Sequence, residues 1–579
     1  MHSLVLSLSK DEPCRSWFGK LTTSGCIATL TMAAAIAPGC SRPSRLAADL
    51  VITGASIWTG NPLQSDARAV AIVGDRIVDV GGAEEIERWR GPNTTVIAAD
   101  GRRITPGFND AHVHFVDGGT QLENVDLRDA DTQAEFARRI GERAKSRPAE
   151  WILGGDWDDQ RWTPPALPTR ELIDERSNGT PVFVSRYDGH MALANSAALG
   201  RAGITERTPD PPGGAIVRDA QGFPTGVLKD AAMELMTRVI PKKTPEQRLH
   251  SVQRALEYAA SLGVTSVQDM NPSYDDIAVY ADLANRGQLT ARIYAAPLET
   301  GWYDQAKLGI HRAFGSPWLR LGAVKGYADG SLGSTTAYFF QPYTDAPTTR
   351  GLLSDEMQDV RDMRTRLMAA DHAGLQLCLH AIGDAGISQV LDLFGEIVRA
   401  NGERDRRLRI EHAQHIAPKD FDRFAALKVI ASVQPYHAID DGRWAERRIG
   451  AERIKTTYAF RTLLDKGVRL SLGTDWSVAP LNPMLTLYAA ATRATLDGRN
   501  PNGWVPEQKI TIEEAVSAYT AGSAFAEFQE SSKGTIARGK LADLVILSED
   551  IFSIPAARIK EVKVLTTIVG GRVVHQRNP

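Results

Sequence analysis

Short apolar segments alternate with amphipathic helical stretches through the middle of this 579-residue chain, and that alternation leaves few folds open to it. The segments are VTSVQDM (264–270), ARIYAAPL (291–298), LGAVKGYADG (321–330), LQLCLHA (375–381), LRIEHAQ (408–414), VIASVQP (429–435) and RLSLGTDW (469–476). Stretches such as PEQRLHSVQRALEYAASLG and DEMQDVRDMRTRLMAADHAG fit helices between them. Strand–helix repetition implies a parallel sheet covered by helices. GFNDAHVHF (107–115) adds a strand in front and brings the count to eight, the number that closes a (β/α)8 TIM barrel.

The two ends read differently. ADLVITGASIWTG, RAVAIVGDRIVDVG and TTVIAADGRRITPG are β-branched runs punctuated by Gly, and GKLADLVILSED and VKVLTTIVGGRVVH share that texture. Residues 47–106 and 533–579 are therefore expected to form one composite, antiparallel β-sandwich subdomain around a barrel spanning 107–532. The stretch between His114 and Val264 is too long for a loop. It predicts an insertion after the first barrel strand, about 120–245, serving as a cap or lid. The expected fold class is α/β.

Lys10, Arg15 and Lys20 precede a run of mostly apolar or small residues (21–37) and then PGC. This is the order of a secretory signal, in a run too short and polar to span a membrane comfortably. Cys40 after Gly39 resembles a lipobox, with Ala37 and Pro38 where a larger aliphatic and a small residue are usual. Residues 1–46 are expected to be a signal or lipoprotein-like segment. The mature protein would then be periplasmic, or membrane-anchored through a lipidated Cys40. The alternative is a mis-started N-terminus on a cytoplasmic protein. A net charge of −3 without basic or acidic tails argues against nucleic acid as a partner. Of the four cysteines, Cys14, Cys26 and Cys40 precede the body, which holds only Cys378 and can form no internal disulfide.

Side chains two apart on a strand share a face, so His112 and His114 point together with Asp110 in line. Neutral imidazoles are good ligands for Zn2+ and similar ions, but one such pair is weak testimony. His380, His412 and Asp475 also end apolar strands, where barrel enzymes hold their active sites. Four of the chain's twelve histidines share this placement. Lys325 lies late in an apolar strand, so it must be paired, neutral or modified. A neutral amine adds CO2 to give a carboxylate that bridges two cations; an ion pair with Asp329 or a neighbouring acid is the alternative.

Together these motifs resemble the amidohydrolase superfamily, and more closely its amidohydrolase-3 or YtcJ-like branch. PGFNDAHVH, VKGYADGSLGSTTAY, LHAIGDAG, IEHAQ and LGTDW are similar to its metal-site motifs. DGHMALANSAAL and PTGVLKDA resemble branch-specific segments, and TIEEAVSAYTAGSAFA and KGTIARGKLADLVIL its closing helix and returning subdomain. The likeness runs from about Ala47 to Val574. It implies one or two divalent cations, Zn2+ foremost. His112 and His114 would hold one, His380 and His412 a second, with N6-carboxylated Lys325 between them. Asp475 would bind metal and act as general base and then acid. Cys378 stays outside the ligand set, as a small buried hydrophobe.

The implied reaction is hydrolysis of a non-peptide C–N bond (amide, N-acyl or N-formyl) in a small molecule. Alternatives are an ester, carbamate or deamination substrate, or a non-catalytic binding protein on the same fold. That last reading expects missing ligand residues, and every expected type is present. Asp188, His190, Gln414, Trp157 and His437 are candidates for substrate contact, with Gln434 and Trp162 behind them. Asp384 is a candidate organiser of the loop after His380. The TIEEAV helix is expected to be structural, capped by Thr511. The oligomeric state is left open.

Overall fold

All eight predicted segments become strands: β1 (Phe108–Val113), β2 (Val264–Met270), β3 (Arg292–Ala296), β4 (Ala323–Tyr327), β5 (Gln376–Ala381), β6 (Arg409–His412), β7 (Ile430–Val433) and β8 (Leu470–Leu472). The computed structural model describes residues 46–147 and 150–577. Residues 1–45, which hold the expected export signal and Cys40, lie outside the described residues.

Neighbouring strands run parallel. β1 pairs with β2 and β2 with β3, and an unbroken ladder runs from β4 to β8. Two single parallel bridges, Leu298 to Lys325 and Val113 to Trp476, join these halves into a ring. The fold is thus a distorted TIM barrel, thin at two seams. Every residue of β2 is buried, the polar Thr265, Ser266, Gln268 and Asp269 included, as in a strand covered on both faces.

The helix Pro245–Ser261 is started by a capping box between Thr244 and Gln247, with Pro245 in its first turn. The DEMQ segment breaks into Asp355–Gln358 and Val360–His372 at Asp359, whose carboxylate caps the second helix. The closing helix starts from the Thr511 capping box and then widens into a π turn over Ala518–Gly522. The wide turn falls where the helix meets the barrel. Tyr519 donates to Asp110 Oδ2 (2.8 Å) and Ser523 to the Leu472 carbonyl (3.2 Å).

Both chain ends share one six-stranded sheet. Its order is Arg572–Gln576, Val564–Val569, Leu544–Leu547, Arg103–Pro106, Ser56–Asn61, Gln64–Ala67. A four-stranded sheet packs on it through Ile52, Val70 and Ile72 against Ile104, Leu544 and Ile568. The pairing is mixed rather than antiparallel throughout. Ser56–Asn61 runs parallel to Arg103–Pro106, and Leu50–Thr53 to Thr95–Ala98. In each case the intervening strands return the chain to its starting direction.

Between β1 and β2 the chain builds a further six-stranded sheet running from Val125–Asp126 to Gly214–Arg218. Trp157 and Trp162 sit in its core around Phe136, bonded to the carbonyls of Val184 (2.8 Å) and Ala130 (2.9 Å). The expected substrate contact from Trp157 is therefore not made. Its indole packs inside the insertion because a buried N–H found a backbone partner there.

Candidate metal centre

At the carboxyl end of β1, Asp110 and the two histidines part company. Asp110 accepts from the Thr474 amide (2.9 Å) and hydroxyl (2.8 Å) as well as from Tyr519, tying β1 to the end of β8. His112 Nδ1 lies 2.6 Å from Glu411 Oε2. His114 Nδ1 lies 2.8 Å from Asn271 Oδ1. With a proton on each Nδ1, both Nε2 lone pairs face Asp475 Oδ1, at 3.4 and 3.2 Å.

Asp475 follows β8 and is the hub. Its Oδ1 is buried without a hydrogen bond. Two groups converge on it, His112–His114–Asp475 and His412–His437–Asp475, with each group's ligand atoms within 4.8 Å of one another. His412 Nδ1 donates to Gln434 Oε1 (2.9 Å). His437 stands on the helix Pro435–Asp441, its Nε2 buried and unpartnered. The Nε2 atoms of His112, His114 and His437 face the Asp475 carboxylate with no proton to share, an arrangement that a cation satisfies; the His412 nitrogen nearest Asp475 is Nδ1, at 3.9 Å. This nitrogen–oxygen donor set suits Zn2+ and its neighbours.

Burial and the Lys325 charge push His112 down to about 4. Burial, with neighbouring cationic groups, also holds His380 and His412 well below the usual imidazole range. Neutral rings are what metal ligation requires. Burial opposes ionisation of Asp475, yet His112, His114 and His412 together hold it well below the usual carboxylate range.

His380 is at the site, its ring 4.5 Å from that of His412 and its Nε2 3.2 Å from the Gly330 carbonyl. His437, expected only at the barrel mouth, joins His412 and Asp475 in the second group. One expectation needs correction. Gln414 turns away from the cavity and donates to Asp441 (3.0 Å). His412 and Ala413 have φ of 71° and 43°, so strand alternation ends before Gln414. Of the two readings of Lys325, the ion pair with Asp329 is not made. The lysine Nζ lies 3.3 Å from His112 Nε2.

Asp329 instead accepts from the amides of Tyr338 (2.8 Å), Ile382 (2.9 Å) and Gly383 (2.7 Å). It organises the loop after His380, the role expected of Asp384, which bonds the Phe340 amide (2.8 Å). Asp329→Ala would strand the two buried donors, Ile382 and Gly383, and the part-buried one of Tyr338. A loss of about 3–5 kcal/mol in unfolding free energy is expected, measurable by denaturant titration. A loss under about 1 kcal/mol would show that water replaces the carboxylate. Cys378 is buried with Tyr294, Ala296 and Ala323, and burial pushes its thiol up to about 12.

A cavity of about 490 Å3 opens over the centre, lined by His114, Lys325, His380, His412, His437 and Asp475. The insertion closes its other side with Asp188, His190 and Asp230. His190 Nδ1 lies 2.7 Å from Asp230 Oδ1, and Asp188 Oδ2 accepts from Arg186 (2.8 Å) and Ser331 (2.7 Å). Sequence reasoning missed Glu411, Arg409, Asn271 and Asp230. The signal for the first two was their period-2 spacing in RIEH, which turns both charges into the barrel.

Residues 95–575 match the sequence model of the amidohydrolase family. The chain belongs to the amidohydrolase family. It is 37% identical over 548 residues to Protein LONG AFTER FAR-RED 3 of Arabidopsis thaliana, covering 92% of each chain. It is 29% identical to Putative amidohydrolase YtcJ of Bacillus subtilis, covering 90% of this chain and all of that one. It is also 29% identical to N-substituted formamide deformylase of Arthrobacter pascens, covering 91% and 98%. Among solved structures, an uncharacterized metal-dependent hydrolase from Pyrococcus horikoshii superposes with a TM-score of 0.71 at 29% identity, over 88% of this chain and 99% of that one. This member of the amidohydrolase family is a metal-dependent hydrolase in its YtcJ-like branch.

Proposed function

We propose that the protein hydrolyses the C–N bond of an N-acyl or N-formyl amine, with Asp475 moving the proton. The observation that carries this reading is the convergence of both imidazole groups on Asp475 beneath the cavity. The relative whose name specifies a substrate class, the formamide deformylase, supports the choice of bond.

His112, His114 and Asp475 would hold one divalent cation, Zn2+ foremost, and His412, His437 and Asp475 a second. A bound cation supplies Lewis acidity and brings the pKa of water from about 16 towards about 7. Asp475 takes the proton of the attacking water and returns it to the departing amine, as base and then acid. His190, held by Asp230, faces the substrate from the insertion. Burial disfavours the Lys325 ammonium, against the pull of Glu411 and Asp475. That leaves an amine able to take up CO2 and become N6-carboxylated.

The test is a panel of N-substituted formamides, N-acetyl amines and their matched esters and carbamates, with the metal-loaded protein. Formamides or acetamides should lead in kcat/KM by at least about tenfold, or 1.4 kcal/mol in transition-state binding. Turnover confined to esters or carbamates would overturn the assignment.

A further inference from the structure

Three imidazoles of the candidate centre have their Nδ1 engaged, and the partners are not equivalent. His114 meets the Asn271 amide oxygen at 2.8 Å and His412 the Gln434 amide oxygen at 2.9 Å. His112 meets a carboxylate, Glu411, at 2.6 Å. A hydrogen bond to an ionised acceptor is shorter and about twice as strong as a neutral one. It also raises the basicity of the opposite nitrogen as a ligand.

Glu411 is itself held. Arg409 Nε donates to Oε1 (2.8 Å) and Nη2 to Oε2 (3.1 Å). The same Nη2 reaches the carbonyl of Ala111 (2.7 Å) and the Ser432 hydroxyl (3.1 Å), while Nη1 bonds Gln268 Oε1. Gln268 in turn donates to the Ser523 carbonyl at 2.8 Å, just past the wide helical turn. The relay thus grips the ring of His112 and the carbonyl of the residue before it. It draws on β1, β2, β6, β7 and the closing helix together.

His112, Arg409 and Glu411 are each 0% exposed. Filling a barrel does not need ions there. An apolar replacement of a buried ion pair is often neutral or stabilising. Fixing one ring in one tautomer does need them.

We infer that Glu411, locked by Arg409, is a positioning residue that fixes the tautomer and orientation of His112 and thereby sets the affinity of the centre for its cation. The inference rests on the metal-centre reading above. Glu411 acts through His112 and touches no substrate.

The test is the cation affinity of Glu411→Gln. Native and variant proteins are stripped, then titrated with Zn2+ against a chromophoric chelator. Thermal midpoints of the metal-free forms and the visible spectra of the Co2+ forms are recorded alongside. The variant should bind Zn2+ about 10–100-fold more weakly, with an altered Co2+ spectrum. A purely structural role predicts a lower metal-free midpoint with unchanged Zn2+ affinity and spectrum, and that result overturns the inference. Where Glu411→Gln does not fold because Arg409 is left uncompensated, Arg409→Met/Glu411→Gln removes both charges and should show the same loss. Should the native protein bind no divalent cation, the metal-centre reading itself fails. Should the native protein bind and the variants match it, only the inference fails.

Discussion

Asp475→Asn is expected to lower kcat by about 10²–10⁴-fold, the range a positioned proton-transfer group contributes, while metal content per chain stays at the native value. The substitution is chosen for its backbone as well as its chemistry. Asp475 has φ of 60°, a left-handed conformation that Asn and Asp adopt far more readily than other non-glycine residues. Asn therefore keeps the fold, the volume and one oxygen facing His112 and His114. It loses the charge, the capacity to take a proton and the second oxygen, the one nearest His412 and His437. Alanine would add strain and take the first oxygen as well. The measurement is steady-state turnover of the best substrate in the panel, with metal per chain measured on the same sample. Activity within about threefold of native, or under 1 kcal/mol, would remove Asp475 from the proton path. Lost activity with lost metal would assign it to ligation alone.

The barrel was legible because short strand candidates recur between amphipathic helical stretches and turn signals, the order of a parallel sheet covered by helices. His112, His114, His412 and Asp475 were legible because a polar group at the end of such a strand has few places to point. Where the reading failed, the backbone departed from regular alternation. Gln414 was placed beside His412 on the assumption that strand geometry continued, but two successive positive φ angles turn it towards Asp441. No residue type in His412–Ala413 announces that turn.

His437 was placed at the barrel mouth but not in the ligand set, because the short helix after β7 that swings it against Asp475 leaves little pattern in seven residues. His380 was legible in position but not in partner, since the Gly330 carbonyl that engages it comes from another loop. Trp157 shows the converse. An indole in an insertion suits a pocket wall and a core equally, and only its bond to Val184 decides. Arg409 and Glu411 lie two apart in RIEH, so their inward alternation is legible; the ring that Glu411 meets is not, because His112 comes from another strand.

Removing the cation should have the largest effect of all. Chelation is expected to abolish turnover, and Zn2+, Co2+ or Mn2+ to restore it. Burial holds His112, His412 and His380 below the usual imidazole range, so these three rings favour ligation of a cation over carrying a charge of their own. Lys325 is buried, with its ammonium disfavoured. A stripped centre also leaves the Asp475 carboxylate buried against acceptor nitrogens, which costs folding energy as well as activity. A ligand at 1,000 times its Kd stabilises the folded chain by about 4 kcal/mol, so the thermal midpoint should fall on stripping and recover on reloading. That second readout separates loss of the cation from inhibition by the chelator. Full activity in protein verified to be metal-free would leave the convergence on Asp475 without the catalytic meaning assigned to it.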